Sequence, residues 1–185
     1  MLGRRQFILL AAALAGRAHA QQAEDAMAER LRAGRCAVLW RHAQTTSGVG
    51  DPPGFRLDRC DTQRNLSDAG RAQARAAGEW FRSRSLRPRT VRSSAWCRCR
   101  DTAQLAFGAH ELWTPLNSSF GNAQVAPENR KLLLEGLARI PAGAFEVWVT
   151  HQVNITAFTG ESVAMGAAVV VDRAGQVMAR GQFGA

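Results

Sequence analysis

The sequence predicts an α/β fold: a three-layer α/β/α sandwich with an open, mostly parallel sheet and an antiparallel hairpin at its terminal edge. Short, continuously apolar segments, typical of strands covered on both faces, alternate along the chain with segments of helical periodicity. The 185 residues are 46% hydrophobic and 21% charged, so the chain can bury one substantial core. These values exclude a disordered, a fibrous or a large multidomain protein.

The first half of the chain predicts a helix, a strand, a long loop and a second helix. Apolar residues recur at helical spacing over 21–33, and the apolar run 36–40 predicts a strand buried on both faces. The loop 43–65 is polar, contains several Gly and Pro residues, and is long enough to favour a functional segment or a lid. Ser67 can cap a helix over 68–84, where apolar residues again recur at helical spacing.

The second half continues this alternation and ends in a hairpin. Gly108 is expected to end one helix and Pro127 to begin the next, with an irregular segment between them. An Asp-Arg-Ala-Gly turn at 172–175 predicts the hairpin. The elements expected here are a strand at 89–94, helices at 98–107 and 127–139, a strand at 145–150, a helix ending at 158, and strands at 167–171 and 176–179.

The beginning of the chain has the composition of an export signal. Two arginines precede an apolar run over 7–16, and Ala-His-Ala at 18–20 matches a cleavage site. The arginine pair also resembles a twin-arginine signal, and the apolar run is too short for a membrane span of roughly 20 residues. We therefore expect a signal peptide at 1–20, one domain at 21–185, and a periplasmic or secreted protein with no stable membrane anchor.

The charge balance favours an anionic partner. The chain has 24 basic and 15 acidic residues, a net charge of +9, and every basic residue except Lys131 is an arginine. The planar guanidinium fork suits phosphate and carboxylate, although genomic base composition also explains a general arginine bias. No recognition helix or aromatic-basic motif accompanies the charge, so we do not expect a nucleic-acid partner.

Four cysteines remain after the leader, an even number that predicts at least one disulfide in an oxidising compartment. The sequence leaves their pairing open. Two of them are separated by a single residue, which is too close for an ordinary metal knuckle, and no second pair has zinc spacing. We therefore expect no metal site; the four residues are Cys36, Cys60, Cys97 and Cys99.

Polar residues follow three of the predicted strands, where ligands of open α/β sheets bind. Arg41 and His42 follow the first strand, a Ser-Ser pair leading to Arg98 follows the second, and His151 follows the third. A single histidine would be interpreted more simply as a structural residue. Two arginines and two histidines at three strand ends instead predict one anion-binding site.

This set of side chains suits a phosphoryl group, whose equatorial oxygens carry negative charge. A neutral imidazole at His42 could accept that group, because Arg41 and Arg98 disfavour a third positive charge beside them. Hydrolysis in two displacements through a phosphohistidine needs no metal. We accordingly expect neither a metal nor another cofactor.

Four ordered segments carry a family pattern: Arg-His-Ala-Gln-Thr at 41–45, Leu-Ser-x-x-Gly-x-x-Gln-Ala at 66–74, Ser-Ser-x-x-x-Arg-x-x-x-Thr-Ala at 93–103, and Val-Thr-His at 149–151. Together they resemble the histidine phosphatase superfamily, the phosphoglycerate-mutase-like phosphatases. The resemblance implies that His42 is the nucleophile and that Arg41, Arg98 and His151 bind the phosphoryl oxygens. Thr45 and Asn65 are further substrate-binding candidates, or they serve only turn and loop hydrogen bonds.

The family usually supplies a carboxylic acid that protonates the leaving oxygen, and the sequence does not single it out. The candidates are Glu111, Glu128 and Glu161. Glu128 is preferred by position but would equally well stabilise a helix N-terminus, and Glu161 is the second choice. Without an acid, phosphorylated compounds with good leaving groups, such as aryl phosphates or protein phosphohistidine, would be the preferred substrates.

The short segment between Arg98 and His151 predicts an open pocket, which argues against a mutase that must keep its intermediate away from water. The leading hypothesis is a metal-independent phosphatase that hydrolyses phosphomonoesters through a phosphohistidine on His42. Its substrate would be a small phosphorylated molecule or a phosphorylated component of the cell envelope. The alternative is a non-catalytic envelope module that binds phosphate esters. Oligomeric state and physiological substrate stay open.

Overall fold

The computed structural model describes residue 22 and residues 24–184, so the predicted signal peptide at 1–20 lies outside the described residues. The strands are β1 (Cys36–Arg41), β2 (Thr90–Ser93), β3 (Glu111–Leu112), β4 (Phe145–Thr150), β5 (Ala167–Val171) and β6 (Val177–Gln182). The helices are α1 (24–33), α2 (Asp68–Ser83), α3 (Cys97–Phe107), α4 (Ala126–Ala138) and α5 (Gln152–Thr159). Each expected helix and strand is present to within a few residues.

The strands form one mixed sheet in the order β3-β2-β4-β1-β5-β6. The first four are mutually parallel, whereas β5 runs antiparallel to both β1 and β6. This arrangement confirms the predicted α/β fold with its antiparallel edge hairpin. It also places the carboxyl ends of β2, β4 and β1 side by side.

Helices cover both faces of the sheet because successive residues of its central strands point to opposite sides and are apolar on both. On one face Val38 packs in a cluster with Phe81 of α2 and Ala103 of α3. On the other, Leu39 packs in a cluster with Leu137 of α4 and with residues of α5. The buried core is therefore divided into two layers, as a three-layer sandwich requires.

The segment 108–126, expected to be irregular, contains the two-residue strand β3. Both of its residues are exposed, and a pair is too short to show any periodicity in the sequence. The hairpin strand β6 also extends three residues beyond its predicted end, because Gln182 still pairs with Ala167 of β5. Among the described residues, no helix is long and apolar enough to cross a membrane.

A disulfide connects the long loop before α2 to the first residue of α3. It joins Cys60 to Cys97, whose Cα atoms lie 5.6 Å apart. Cys36 and Cys99 are buried free thiols. The expectation of at least one disulfide is thereby met, and the pairing is resolved.

Candidate active site

A cavity of about 490 Å³ opens at the carboxyl ends of β1, β2 and β4. The peptide nitrogen of His42 donates to the Thr150 carbonyl (3.0 Å), and that of Ser94 donates to the Val149 carbonyl (3.0 Å), so the three strand ends stay in register. Helices α3 and α5 begin at this edge, and helix N-termini favour anions. The four residues predicted to meet here all line the cavity: Arg41, His42, Arg98 and His151.

His42 is 3% exposed, and its ring is fixed by a hydrogen bond to its own loop. The Nδ1 atom lies 2.9 Å from the Ala43 carbonyl oxygen, which can only accept, so Nδ1 carries the proton. Burial chiefly, with smaller contributions from Arg98 and Arg41, lowers the pKa of His42 to about 3 against the opposing effect of the Ala43 hydrogen bond. The imidazole is therefore neutral, with its lone pair on Nε2.

His151 is the second imidazole of the cavity, and its ring centroid lies 5.6 Å from that of His42. Its Nε2 is 2.8 Å from the Ser94 hydroxyl, and its Nδ1 is 3.4 Å from Nη2 of Arg98. Because a guanidinium only donates, this geometry assigns the proton of His151 to Nε2. Burial, followed by the charge of Arg98, holds the pKa of His151 well below its ordinary value.

Three arginines, not two, surround these rings, and each is anchored at one end of its guanidinium. Nη1 of Arg41 donates to the Val163 carbonyl (2.8 Å), and Nη1 of Arg64 donates to the Gly48 carbonyl (2.7 Å). Nη1 of Arg98 donates to Oδ1 of Asp51 at 2.7 Å. In all three the buried Nε has no hydrogen-bond partner within the part of the chain that the structure describes.

An unpaired buried Nε is costly unless a ligand satisfies it. Since the Nε and Nη2 donors of a guanidinium point in the same direction, each fork offers a two-pronged edge to one anion. Three such edges beside two neutral imidazoles form a binding site for a tetrahedral oxyanion.

Arg64 and Asp51 are two charged lining residues that the sequence analysis did not predict. Both lie in the 43–65 loop, where no periodicity positions a side chain. They are linked through the peptide nitrogen of Arg64, which donates to Oδ1 of Asp51 (3.0 Å). The Trp96 indole N–H donates to Oδ2 of the same carboxylate (2.9 Å). The one available signal was the position of Arg64, directly before the Asn-Leu-Ser segment that caps α2.

The two weaker substrate-binding candidates lie outside the cavity. The hydroxyl of Thr45 contacts the Met165 sulfur at 3.5 Å, and Nδ2 of Asn65 donates to the Cys60 carbonyl at 2.5 Å. Neither side chain lines the cavity. Their contacts fit the loop-stabilising interpretation.

The structure also does not bring the three candidate acids to the site. Glu111 lies on edge strand β3, and Glu128 is exposed in the first turn of α4. Glu161 forms an ion pair with Arg180, whose hydrogen bond lowers the pKa of that carboxyl. None of the three lines the cavity, and their suggested role as proton donor stays a prediction that this placement does not support. Among the lining residues that the structure describes, the carboxylate belongs to Asp51.

Over the described part of the chain, no group of three His, Cys, Asp or Glu side chains is arranged to hold a metal ion. The lining residues instead present donors, and donors suit an anion. Fold and site together define an α/β protein with a phosphoryl-type oxyanion pocket at the carboxyl edge of its sheet.

The family model of the histidine phosphatase superfamily, branch 1, matches residues 37–164. The chain therefore belongs to the histidine phosphatase superfamily. No sequence among the curated proteins matches it.

Solved structures share the fold at low sequence identity. The protein histidine phosphatase SixA, complexed with tungstate, has a TM-score of 0.52 at 15% identity, covering 77% of this chain and 92% of its own. A SixA-like protein from Agrobacterium tumefaciens, described as a putative phosphohistidine phosphatase, has a TM-score of 0.51 at 21% identity, with coverages of 74% and 91%. A mycobacterial glucosyl-3-phosphoglycerate phosphatase has a TM-score of 0.55 at 22% identity, with coverages of 74% and 89%.

Proposed function

We propose that this protein is a metal-independent phosphatase that hydrolyses phosphomonoesters through a phosphohistidine on His42. The observation that carries the proposal is the set of three buried, unpaired Nε atoms, on Arg41, Arg64 and Arg98, beside the unprotonated Nε2 of His42. Membership of the histidine phosphatase superfamily supports the same chemistry.

In the first step Nε2 of His42 attacks phosphorus. The N–P bond forms as the bond to the leaving oxygen breaks, and the leaving oxygen takes up a proton. The three guanidinium edges stabilise the charge that spreads over the equatorial oxygens. The hydrogen bond from Nδ1 to the Ala43 carbonyl stabilises the positive charge that the imidazole gains.

In the second step water attacks the phosphohistidine, the N–P bond breaks, and inorganic phosphate leaves with His42 neutral again. His151 lies beside His42, and its Nδ1 accepts a hydrogen bond from Nη2 of Arg98. Because His151 is neutral, it adds no positive charge next to the imidazolium that forms at His42. Neither step requires a metal ion, because the arginines carry the charge stabilisation.

The test is the hydrolysis of 4-nitrophenyl phosphate in excess EDTA. We expect turnover in the wild type and loss of at least about 1,000-fold in His42→Ala, since nucleophilic catalysis cannot proceed without the imidazole. His110→Ala is the matched control, because His110 lies away from this cavity. Acid-labile ³²P on the wild type and none on His42→Ala would identify the intermediate, whereas undiminished turnover in His42→Ala contradicts the proposal.

The substrate that we propose is a small phosphate ester or a phosphorylated envelope component, met after export by the signal peptide at residues 1–20. Fusing residues 1–20 to a reporter should deliver it to the periplasm. Changing both leader arginines, Arg4 and Arg5, to lysine should block delivery if the route is the twin-arginine one. A reporter retained in the cytoplasm with the native leader would count against export.

A further inference from the structure

Asp51 is a carboxylate that lines the cavity, and neither of the two displacements at His42 uses it. Its side chain is only 7% exposed. Three donors fix it: Nη1 of Arg98 at 2.7 Å, the Arg64 peptide nitrogen at 3.0 Å and the Trp96 indole at 2.9 Å. A buried carboxylate with this many contacts is fixed in position before any substrate arrives.

Asp51 and the phosphoryl group use different edges of the same guanidinium. Asp51 takes the Nη1 end of Arg98, while Nε of Arg98 is buried and unpaired and its Nη2 lies 3.4 Å from His151. An oxyanion bound on the Nε–Nη2 edge thus leaves the Asp51 contact intact. The carboxylate lines the same cavity as this edge and stays at the Nη1 end of Arg98.

Substrate binding changes the charge around Asp51. In the empty pocket, burial favours the protonated acid, but hydrogen bonds from Arg98 and from the Arg64 backbone outweigh it and lower the pKa of Asp51. The other charged or titratable groups that line the cavity are Arg41, His42 and His151, and both histidines are neutral. A bound phosphate ester neutralises the arginines and adds negative charge next to the carboxylate, which raises its proton affinity.

We propose, on the basis of the phosphatase function above, that Asp51 is the general acid that protonates the leaving oxygen and the base that activates water in the second step. The ester monoanion brings the proton and passes it to Asp51 on binding. As Nε2 of His42 bonds to phosphorus, the ester P–O bond breaks and the leaving oxygen takes the proton from Asp51. The oxygen of a water molecule then bonds to phosphorus while Asp51 accepts a proton from that water, and the N–P bond breaks. Asp51 passes this proton to the departing phosphate, which leaves as the monoanion, and both Asp51 and His42 return to their initial states.

Asp51 supplies the proton donor that neither Glu128 nor Glu161 provides in the cavity. The range of esters that the protein cleaves is therefore wider. A pocket without an acid handles only good leaving groups, whereas one with Asp51 also cleaves esters of ordinary alcohols, such as sugar phosphates. Asp51 is thus a catalytic residue that determines which leaving groups are accepted.

The experiment compares Asp51→Asn with the wild type on two aryl esters of similar size, phenyl phosphate and 4-nitrophenyl phosphate. Phenolate needs the proton far more than the weakly basic 4-nitrophenolate. We expect kcat/KM to fall about 100-fold or more for phenyl phosphate and less than about 10-fold for 4-nitrophenyl phosphate, within the range of general acid catalysis. The amide oxygen of Asn keeps an acceptor for Nη1 of Arg98 and for the Arg64 peptide nitrogen, and the contact given up is the one from the Trp96 indole.

Asp58→Asn is the matched control, because Asp58 lies in the same loop and pairs with Arg56 but is 65% exposed and outside the cavity. Asp58→Asn should leave kcat/KM unchanged for both esters. An equal loss on both esters in Asp51→Asn would show that Asp51 merely positions Arg98, and no loss or a gain would show that it is dispensable or obstructive; each result overturns the proposal. Absence of turnover in the wild type would instead contradict the phosphatase function itself.

Discussion

Cys60 is bonded to Cys97, the residue directly before Arg98, and this disulfide connects the long loop to the helix that carries Arg98 of the cavity. Next to it, the Cys97 peptide nitrogen donates to Oε1 of Gln63 at 2.9 Å. The two bonds fix the loop immediately before Arg64. We therefore expect the disulfide to affect anion binding in the pocket as well as the stability of the fold.

The double variant Cys60→Ser/Cys97→Ser should unfold more easily and bind phosphate more weakly. Closing a loop of 37 residues corresponds to about 4 kcal/mol of chain entropy in the unfolded state. Affinity for inorganic phosphate should fall about tenfold, because the loop must then be ordered on binding at a cost of about 1.4 kcal/mol. Urea unfolding and calorimetry measure the two effects. If the double variant bound phosphate with unchanged affinity, the disulfide would contribute to the stability of the fold but not to phosphate binding.

Much of the site was predictable because the strand ends are encoded locally. Continuous apolar runs identify β1 and β4, and parallel strands bring their following residues, His42 and His151, to one edge. Arg64 and Asp51 were not predictable, since their positions depend on the disulfide and on hydrogen bonds across the loop. Glu128 is the opposite case: an acid in a first helical turn is common for reasons of capping alone, and this side chain does not line the cavity.

The family pattern also includes residues that never reach the cavity. The Thr102 hydroxyl accepts from the Ala43 peptide nitrogen (3.0 Å), and Oε1 of Gln73 accepts from that of Gln44 (3.0 Å). The pattern thus combines side chains that line the cavity with side chains that support the backbone after His42. Sequence alone does not separate the two roles.

Gly70→Ala should disrupt this support. A Cβ on Gly70 would lie 1.8 Å from the carbonyl oxygen of Gln44. Because this oxygen belongs to the backbone, the backbone itself must shift to relieve the clash. We expect a loss of about 3 kcal/mol in unfolding free energy, at the upper end for overpacking, together with reduced kcat. Ala72→Gly, an exposed position of the same helix, should cost about 1 kcal/mol with no change in kcat. Equal effects of the two changes on kcat would contradict the role assigned to Gly70.

The two buried neutral histidines should make the fold sensitive to acid. The pKa of His42 is about 3 in the folded chain and near 6.5 when unfolded, so the unfolded state binds more protons below pH 6.5. Unfolding free energy therefore falls as pH falls, by up to about 1.4 kcal/mol per pH unit for each such histidine, until the folded pKa is reached. His42→Gln should reduce the loss between pH 6.5 and 5 by about 2 kcal/mol in urea titrations. An unaltered pH dependence would mean that His42 is not buried as a neutral group.

The mouth of the cavity should favour esters with a flat apolar leaving group. Phe120 lines the cavity yet is 68% exposed, and Phe55 packs against Trp96 with ring centroids 5.9 Å apart. Phe120→Ala should raise KM for 1-naphthyl phosphate about 2- to 10-fold, the value of one aromatic contact, and leave KM for glycerol phosphate unchanged. Leu112→Ala removes a 59% exposed apolar side chain that does not line the cavity and serves as the control. If KM changed equally for the two substrates in Phe120→Ala, Phe120 would only stabilise the loop. The aromatic side chains at the mouth of the cavity would then play no part in substrate choice.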